Sequence, residues 1–422
     1  MVAVLDRPVG LVLTRLVGAS LALITSPVIA RAIGPEGRGL TAAAITTLMI
    51  VPIALGLGLP WAVRQKVAGA QDVFMVMRSA RLLSFLSLLP AVPLGAVLAV
   101  TLFSGMPQSA LVWLMAGLLV TPFVVQRNSA VSFFVVGREF RRISIVNIAQ
   151  PIFFFISIIA LGVLGNLTVT TVVASQTISM ALACLTTMSL VKVPWRGARF
   201  PIRALARESL LASGAQISEI ASYRLNQLIL LPVIGSAALG YYAVAVNVAL
   251  APAPIGQAIS SSTFSEFARA SGDERHKKVA DSLQSCCYLA IVVALVIAVL
   301  SPLLIPLAFG QEFRPAVLAT IIMSAGLVFV ICNFLLTSAL VADGRSGAAS
   351  NAQLVGFAGG TVMLFVLAFP FGLVGAAIAS TIGFALTSVY SSWALSLGPR
   401  DWLPRRGVQK RAIRILMTRG AG

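Results

Sequence analysis

Charge is the first thing this sequence lacks. Only 10% of its 422 residues are Asp, Glu, Lys or Arg, where a soluble domain carries about 25%. With 58% hydrophobic residues and a mean hydropathy of +0.97, the chain could not cover a soluble surface and reads as an integral membrane protein. Acid is scarcer still, with 13 Asp and Glu against 31 Lys and Arg, a net charge of +18. The single histidine, His276, sits in "GDERHKK", expected to be a basic loop, and reads as solvated. No G-x-x-x-x-G-K-[ST] and no G-x-S-x-G occurs, which excludes Walker-type ATP hydrolysis and a nucleophile elbow. No metal-ligand spacing is found, so no catalytic residue, metal or cofactor is assigned. The four cysteines, Cys184, Cys286, Cys287 and Cys332, lie in or at the ends of apolar runs. They read as packing residues rather than a disulfide framework. The first apolar run has no small-residue cleavage site after it and reads as a retained helix.

What is present is apolar length. A membrane helix needs about 20 apolar residues, and twelve such spans are expected: 10–32, 40–61, 80–103, 110–135, 143–164, 168–191, 209–233, 239–260, 284–308, 316–341, 350–370 and 373–396. Very short turns separate spans one and two, seven and eight, and eleven and twelve. With the amino terminus in the cytoplasm, 25 of the basic residues fall inside and only Arg31, Arg38 and Arg314 outside; Arg15, Arg127 and Arg224 lie within spans. That asymmetry is a strong positive-inside signal, and it places both termini in the cytoplasm. It also accounts for the net charge without nucleic acid, since the basic loops face anionic lipid headgroups. The tail "RRGVQKRAIRILMTRG" reads equally as a helix on the membrane surface or as a disordered basic tail.

Residues 33–44, "IGPEGRGLTAAA", and 234–245, "IGSAALGYYAVA", match at Ile33/Ile234, Gly34/Gly235, Gly39/Gly240, Ala42/Ala243 and Ala44/Ala245, an offset of 201. Each would close the first helix of a six-helix set and open the second. The expected organisation is an N-terminal bundle (1–191), a basic cytoplasmic linker (192–208), a C-terminal bundle (209–396) and a basic tail (397–422). Gly34, Gly39, Gly235 and Gly240 are the expected turn residues. Repeat symmetry of this kind is typical of transporters.

The stretch "ARAIGPEGRGLTAAA" resembles the signature turn of the polysaccharide flippases of the multidrug/oligosaccharidyl-lipid/polysaccharide exporter superfamily. "SYRLNQLILLPVIGSAALGYYAVAVNVALAPAPIGQAI" is similar to the opening of their second half, and "FGQEFRPAVLAT" to their turn between helices nine and ten. The resemblance implies an all-α membrane protein of two pseudo-symmetric six-helix bundles around a central cavity. It implies alternating-access transfer of an undecaprenyl-pyrophosphate-linked oligosaccharide to the outer leaflet of a bacterial plasma membrane, for cell-surface polysaccharide synthesis. Other polysaccharide-assembly membrane proteins are its implied partners. Related exporters expel cationic drugs in exchange for Na⁺ or H⁺. A membrane glycan polymerase or ligase is the rival from another class, but such enzymes usually carry a large outer loop, and none here exceeds about ten residues.

Ionisable residues inside spans are costly and are site candidates by default. Around the helix 209–233, Gln216, Glu219, Arg224, Asn226 and Gln227 share one broad polar arc, suited to a water-filled cavity; an Arg224–Glu219 pair is the structural alternative. The family pattern often has an acid where Asn226 stands, which puts cation coupling there in doubt. Arg15 either snorkels to the headgroups or, as in the related flippases, faces the cavity. Arg127 either lines the cavity or joins helices as polar glue. Arg31 and Arg38 read as outer-gate charges or as partners of Glu36, with the structural reading favoured. Arginine's planar fork suits an anionic pyrophosphate and suits a cationic drug poorly, so Arg15, Arg127 and Arg224 are expected to hold the pyrophosphate in a substrate site shared with Gln216, Glu219 and Asn226.

Overall fold

The computed structural model describes residues 8–69, 72–191, 193–220 and 226–403, and among these every regular element is a helix. Eight of the helices are long and apolar enough to cross a membrane, and nine when the pair Gln108–Leu119 and Thr121–Val136, bent by 44°, is taken as one span. Three of them break at a glycine, which brings the number of spans to twelve.

Length forces those breaks. An unbroken helix over Pro8–Leu55 would be about 72 Å long at ~1.5 Å per residue, more than twice a hydrocarbon core of about 30 Å. Gly34 interrupts it with φ 65° and ψ −177°, a conformation essentially reserved for glycine. Beyond the break Arg38 Nη2 donates to Ser26 Oγ at 3.2 Å. In a straight helix twelve residues would separate them by about 18 Å, so the chain doubles back. Pro35 then opens the second helix, where its missing N–H costs nothing. Gly235 makes the same break with φ 81° and ψ 171°. Gly372, at φ 52° and ψ −127°, makes the third. Around it the two helices run antiparallel at close range: a Cβ on Gly356 would sit 2.7 Å from Gly383 O, and one on Gly360 3.1 Å from Gly383 Cα.

The spans are 8–33; 35–69 with a kink at 56–58; Val73–Thr101; Gln108–Val136; Phe140–Val163; Val169–Leu190; a seventh described as Ile202–Ile220 and 226–234; 236–269; Gly272–Phe309; Ala316–Ala342; 346–371; and 373–394. These are the all-α fold and the twelve spans expected, with two corrections. The expected turn over 33–39 is a single residue, because Pro35 and all that follows is already helical; Gly39 and Gly240 are buried inside the helices rather than turning the chain. "GDERHKK" is the first two turns of the ninth helix, not a loop, and His276 is exposed there.

The chain divides by its contacts into two compact units, Met1–Pro232 and Val233–Gly422. In the second unit Phe267, Leu283, Cys286, Cys287, Ile331 and Cys332 pack into one apolar cluster, and the described cysteines are all free thiols. Arg275 pairs with Asp343 at the basic end of this unit.

In the first unit, the basic stretch after the sixth span is strapped down. Arg81, 7% exposed, donates to Val193 O at 2.8 Å, and its guanidinium lies 4.2 Å from the Trp195 ring centre. Arg78 donates to Ala198 O at 2.5 Å, and Ser79 to Phe200 O at 2.7 Å. Lys66 bridges to Glu208 at 2.7 Å, and Ser209 donates to Leu57 O at 2.6 Å. Carbonyls that water would otherwise have to satisfy are thus bound by the third span's own arginines. The seventh helix begins at Ile202 directly behind this strap.

Two outcomes are expected. No atom lies within 4 Å of a Cβ added at Gly235, yet Gly235→Ala should destabilise the protein by about 1–3 kcal/mol through backbone strain alone, read as a lower melting temperature in detergent. Arg81→Ala should release the strap, so that trypsin cuts faster after the exposed Arg196 and Arg199. An unchanged cleavage rate would show that these contacts do not hold it.

Candidate functional site

Arg127 lies in the fourth span, on the helix Thr121–Val136. Its Nη1 donates to Gln150 Oε1 on the fifth span at 2.8 Å, while its buried Nε has no partner. Beside it is a small cavity lined by Gln126, Cys184, Thr187, Met77 and Met188. Its volume of about 10 Å³ suits one water-sized occupant. The second unit has a counterpart. The helices ending at Val136 and Ala342 are offset by 206 residues, which sets Arg127 against Asn333. Asn333 Nδ2 donates to Phe384 O at 3.2 Å, and Ser388 donates to Asn333 Oδ1 at 2.7 Å. Both units therefore tie this helix to a later one through a polar side chain, half-buried Arg127 reaching the fifth span and buried Asn333 the twelfth. The contacts of Arg127 are those of polar glue. Gln150, which precedes Pro151 in an otherwise apolar run, is the partner that sequence reading missed; an amide inside a span was the available signal.

Arg38 departs from expectation. It is 7% exposed and bonds Ser26, and it forms no ion pair with Glu36, which is exposed. One turn into the helix after Gly34, its side chain points back along the hairpin rather than out from a loop. Arg31 is exposed. Arg224 lies outside the described residues, as do the side chains of Arg15, Gln216, Glu219 and Asn226. Their helices are placed: Arg15 is on the first span, Gln216 and Glu219 on Ile202–Ile220, and Asn226 opens the helix that Gly235 breaks. One member of the polar arc is fixed. Gln227 Oε1 accepts from Thr46 Oγ1 at 2.7 Å, and Thr46 is 1% exposed. Gln227 thus ties the helix that opens at Asn226 to the second span within the first unit.

A guanidinium is thus buried without a described carboxylate partner in an apolar helical bundle with repeated glycine corners. The family model described as "Polysaccharide biosynthesis protein" matches residues 28–318. The chain belongs to this family. A probable low-salt glycan biosynthesis flippase, Agl15 of Haloferax volcanii, is 25% identical over 161 residues. That alignment takes in 37% of this chain and only 34% of the relative. Among solved structures the fold matches the lipid II flippase MurJ in an inward closed conformation with a TM-score of 0.75, at 14% identity, over 96% of this chain and 90% of that one. It also matches an inward-facing multidrug resistance transporter of the MATE family with a TM-score of 0.68, at 15% identity, over 95% and 96%. At such identities the likeness is one of fold.

The Arg127–Gln150 bond generates a stability test. Gln150→Leu strips a buried donor of its acceptor and should cost about 1–3 kcal/mol. Replacing Arg127 by Leu as well should recover part of that loss. A double variant less stable than Gln150→Leu would show that Arg127 is held by something other than this bond.

Proposed function

We propose that the protein is a flippase that carries an undecaprenyl-pyrophosphate-linked oligosaccharide from the cytoplasmic to the outer leaflet of a bacterial plasma membrane. The observation that carries this reading is membership of the polysaccharide biosynthesis family on a fold shared with a lipid II flippase. The charges support it. The sequence's first span contains no acid, whereas a cation-coupled drug antiporter would want one there, and the ionisable residues expected inside the spans are mostly arginines. A guanidinium offers a bidentate fork to phosphate oxygens and repels a cationic drug.

In this reading Arg15 and Arg224 hold the pyrophosphate, with Gln216, Glu219 and Asn226 lining the water-filled path, while the lipid tail stays in the bilayer. The helical spacing predicted from the sequence sets Arg224 three residues before Gln227, on the arc whose described member bonds Thr46. Arg127 supports the site by tying the fourth span to the fifth. The basic loops lie on the cytoplasmic side with both termini. Two six-helix halves alternate around the bound headgroup, which is transport rather than catalysis.

The test is flipping in proteoliposomes, with a labelled undecaprenyl-pyrophosphate oligosaccharide and a probe of leaflet accessibility. Wild type should expose glycan on the far side. Arg224→Ala should slow that exposure at least about tenfold, as loss of a charge-assisted contact implies, while leaving the protein inserted and folded. Absence of flipping by wild type, together with uptake of a cationic dye under a Na⁺ or H⁺ gradient, would overturn the reading in favour of a drug antiporter.

A further inference from the structure

Arg38 has no structural reason to be charged. The internal repeat shows this directly. Gly34 and Gly235, offset by 201, adopt the same glycine-only conformation, with φ 65° and 81° and ψ −177° and 171°. Four residues beyond each stands Arg38 in one unit and Leu239 in the other, 7% and 0% exposed. The corner therefore asks for a buried side chain at this place, and leucine serves. Arg127 is different, because its counterpart Asn333 is also polar and also bonded.

A buried guanidinium is costly unless it is paired. Arg38 is in none of the ion pairs among the described residues. Among the described residues its one hydrogen bond is to the neutral hydroxyl of Ser26, at a long 3.2 Å, and its buried Nε has no partner there. The nearest acid in sequence, Glu36, is exposed. Arg31, on the other side of the same corner, is exposed too, so proximity to the turn does not by itself force burial. No described residue supplies the Arg38 guanidinium with an anion.

We propose that Arg38, oriented by its bond to Ser26, forms an anion-binding site in the first helix hairpin, and that its ligand is the pyrophosphate group of the transported lipid. This rests on the flippase reading and adds a contact beside the Gly34 corner, apart from Arg15 and Arg224. The guanidinium gives two N–H groups to phosphate oxygens, Nε and one Nη forming the fork. A site at the hairpin corner, at the end opposite the basic loops, meets the headgroup late in its passage. It provides a cation on the far side of the membrane where the positive-inside rule otherwise removes one.

The experiment uses the purified full chain in detergent, titrated with inorganic pyrophosphate, with binding followed by thermal shift and calorimetry. Arg38→Leu installs the residue that the other unit carries. It should weaken pyrophosphate binding at least about tenfold. It should also raise the melting temperature of the ligand-free protein by a few degrees, because an unpaired buried charge is gone. Arg38→Lys keeps the charge without the fork and should bind with an affinity between the two. Equal binding by wild type and Arg38→Leu overturns the proposal. So does a fall in melting temperature without loss of binding, which would make Arg38 a packing residue. Phosphatidylglycerol vesicles are the second arm: if they protect the wild type and pyrophosphate does not, the ligand is a phospholipid headgroup and the proposal fails as stated. In proteoliposomes, unimpaired flipping by Arg38→Leu removes this site and leaves the flippase reading intact. Arg38-dependent pyrophosphate binding by a wild type that flips no lipid-linked glycan keeps the site and overturns the flippase reading.

Discussion

In a bilayer each backbone N–H and C=O must find a partner within the protein, because no water is there to replace one. Almost everything in this structure follows from that constraint. It makes every described regular element a helix. It also makes the ends of helices the places where the chain is most closely specified. Where two spans are joined without a loop, the reversal falls to one glycine that adopts backbone angles other residues avoid. Gly34 and Gly235 do so in nearly the same way. The two helices joined by the third corner approach so closely at Gly356, Gly360 and Gly383 that a side chain on Gly356 would collide with backbone. Small residues substitute for the hydrophobic drive that lipid-embedded helices lack.

The same constraint governs charge. The arginines of this chain fall into three physical situations. Arg78 and Arg81 spend their donors on the carbonyls of the stretch after the sixth span, turning a basic linker into a strap. Arg127 is bonded across helices to an amide, and the other unit repeats the device with Asn333. Arg38 is buried with one weak neutral partner, where the other unit is content with Leu239. Comparing the units separates what the architecture requires from what it merely carries. By that comparison Arg127 belongs to the architecture and Arg38 does not.

The family and the fold point in one direction while leaving the substrate to chemistry. The fold is common to a lipid II flippase and to drug exporters. An architecture shared so widely fixes the frame and leaves the selection of cargo to side chains. Cargo with two phosphates calls for fixed cations and few acids along the path. Cationic cargo calls for the reverse. The scarcity of acid throughout this sequence therefore carries more information about substrate than any single motif does.

The twelve spans, their order and the all-helical class were legible in the sequence because they rest on quantities that are local and additive: apolar length, the absence of charge and the period of turns. The repeat was legible for the same reason, since glycine at a corner is a local demand. The partners of the polar side chains were not. Sequence reading placed Arg38 on an outer loop because Arg31, Glu36 and Arg38 crowd together in "RAIGPEGRG". The fold needs only Gly34 to turn, so Arg38 is already helical and points back to Ser26, twelve residues earlier. Likewise Arg127 sat between two readings until Gln150, on another span, came within 2.8 Å. Hydropathy and helical period are properties of consecutive residues, so the sequence alone determined which segments cross the membrane. Burial and hydrogen bonding depend on which helices become neighbours, so only the tertiary structure decided which charges those segments keep inside.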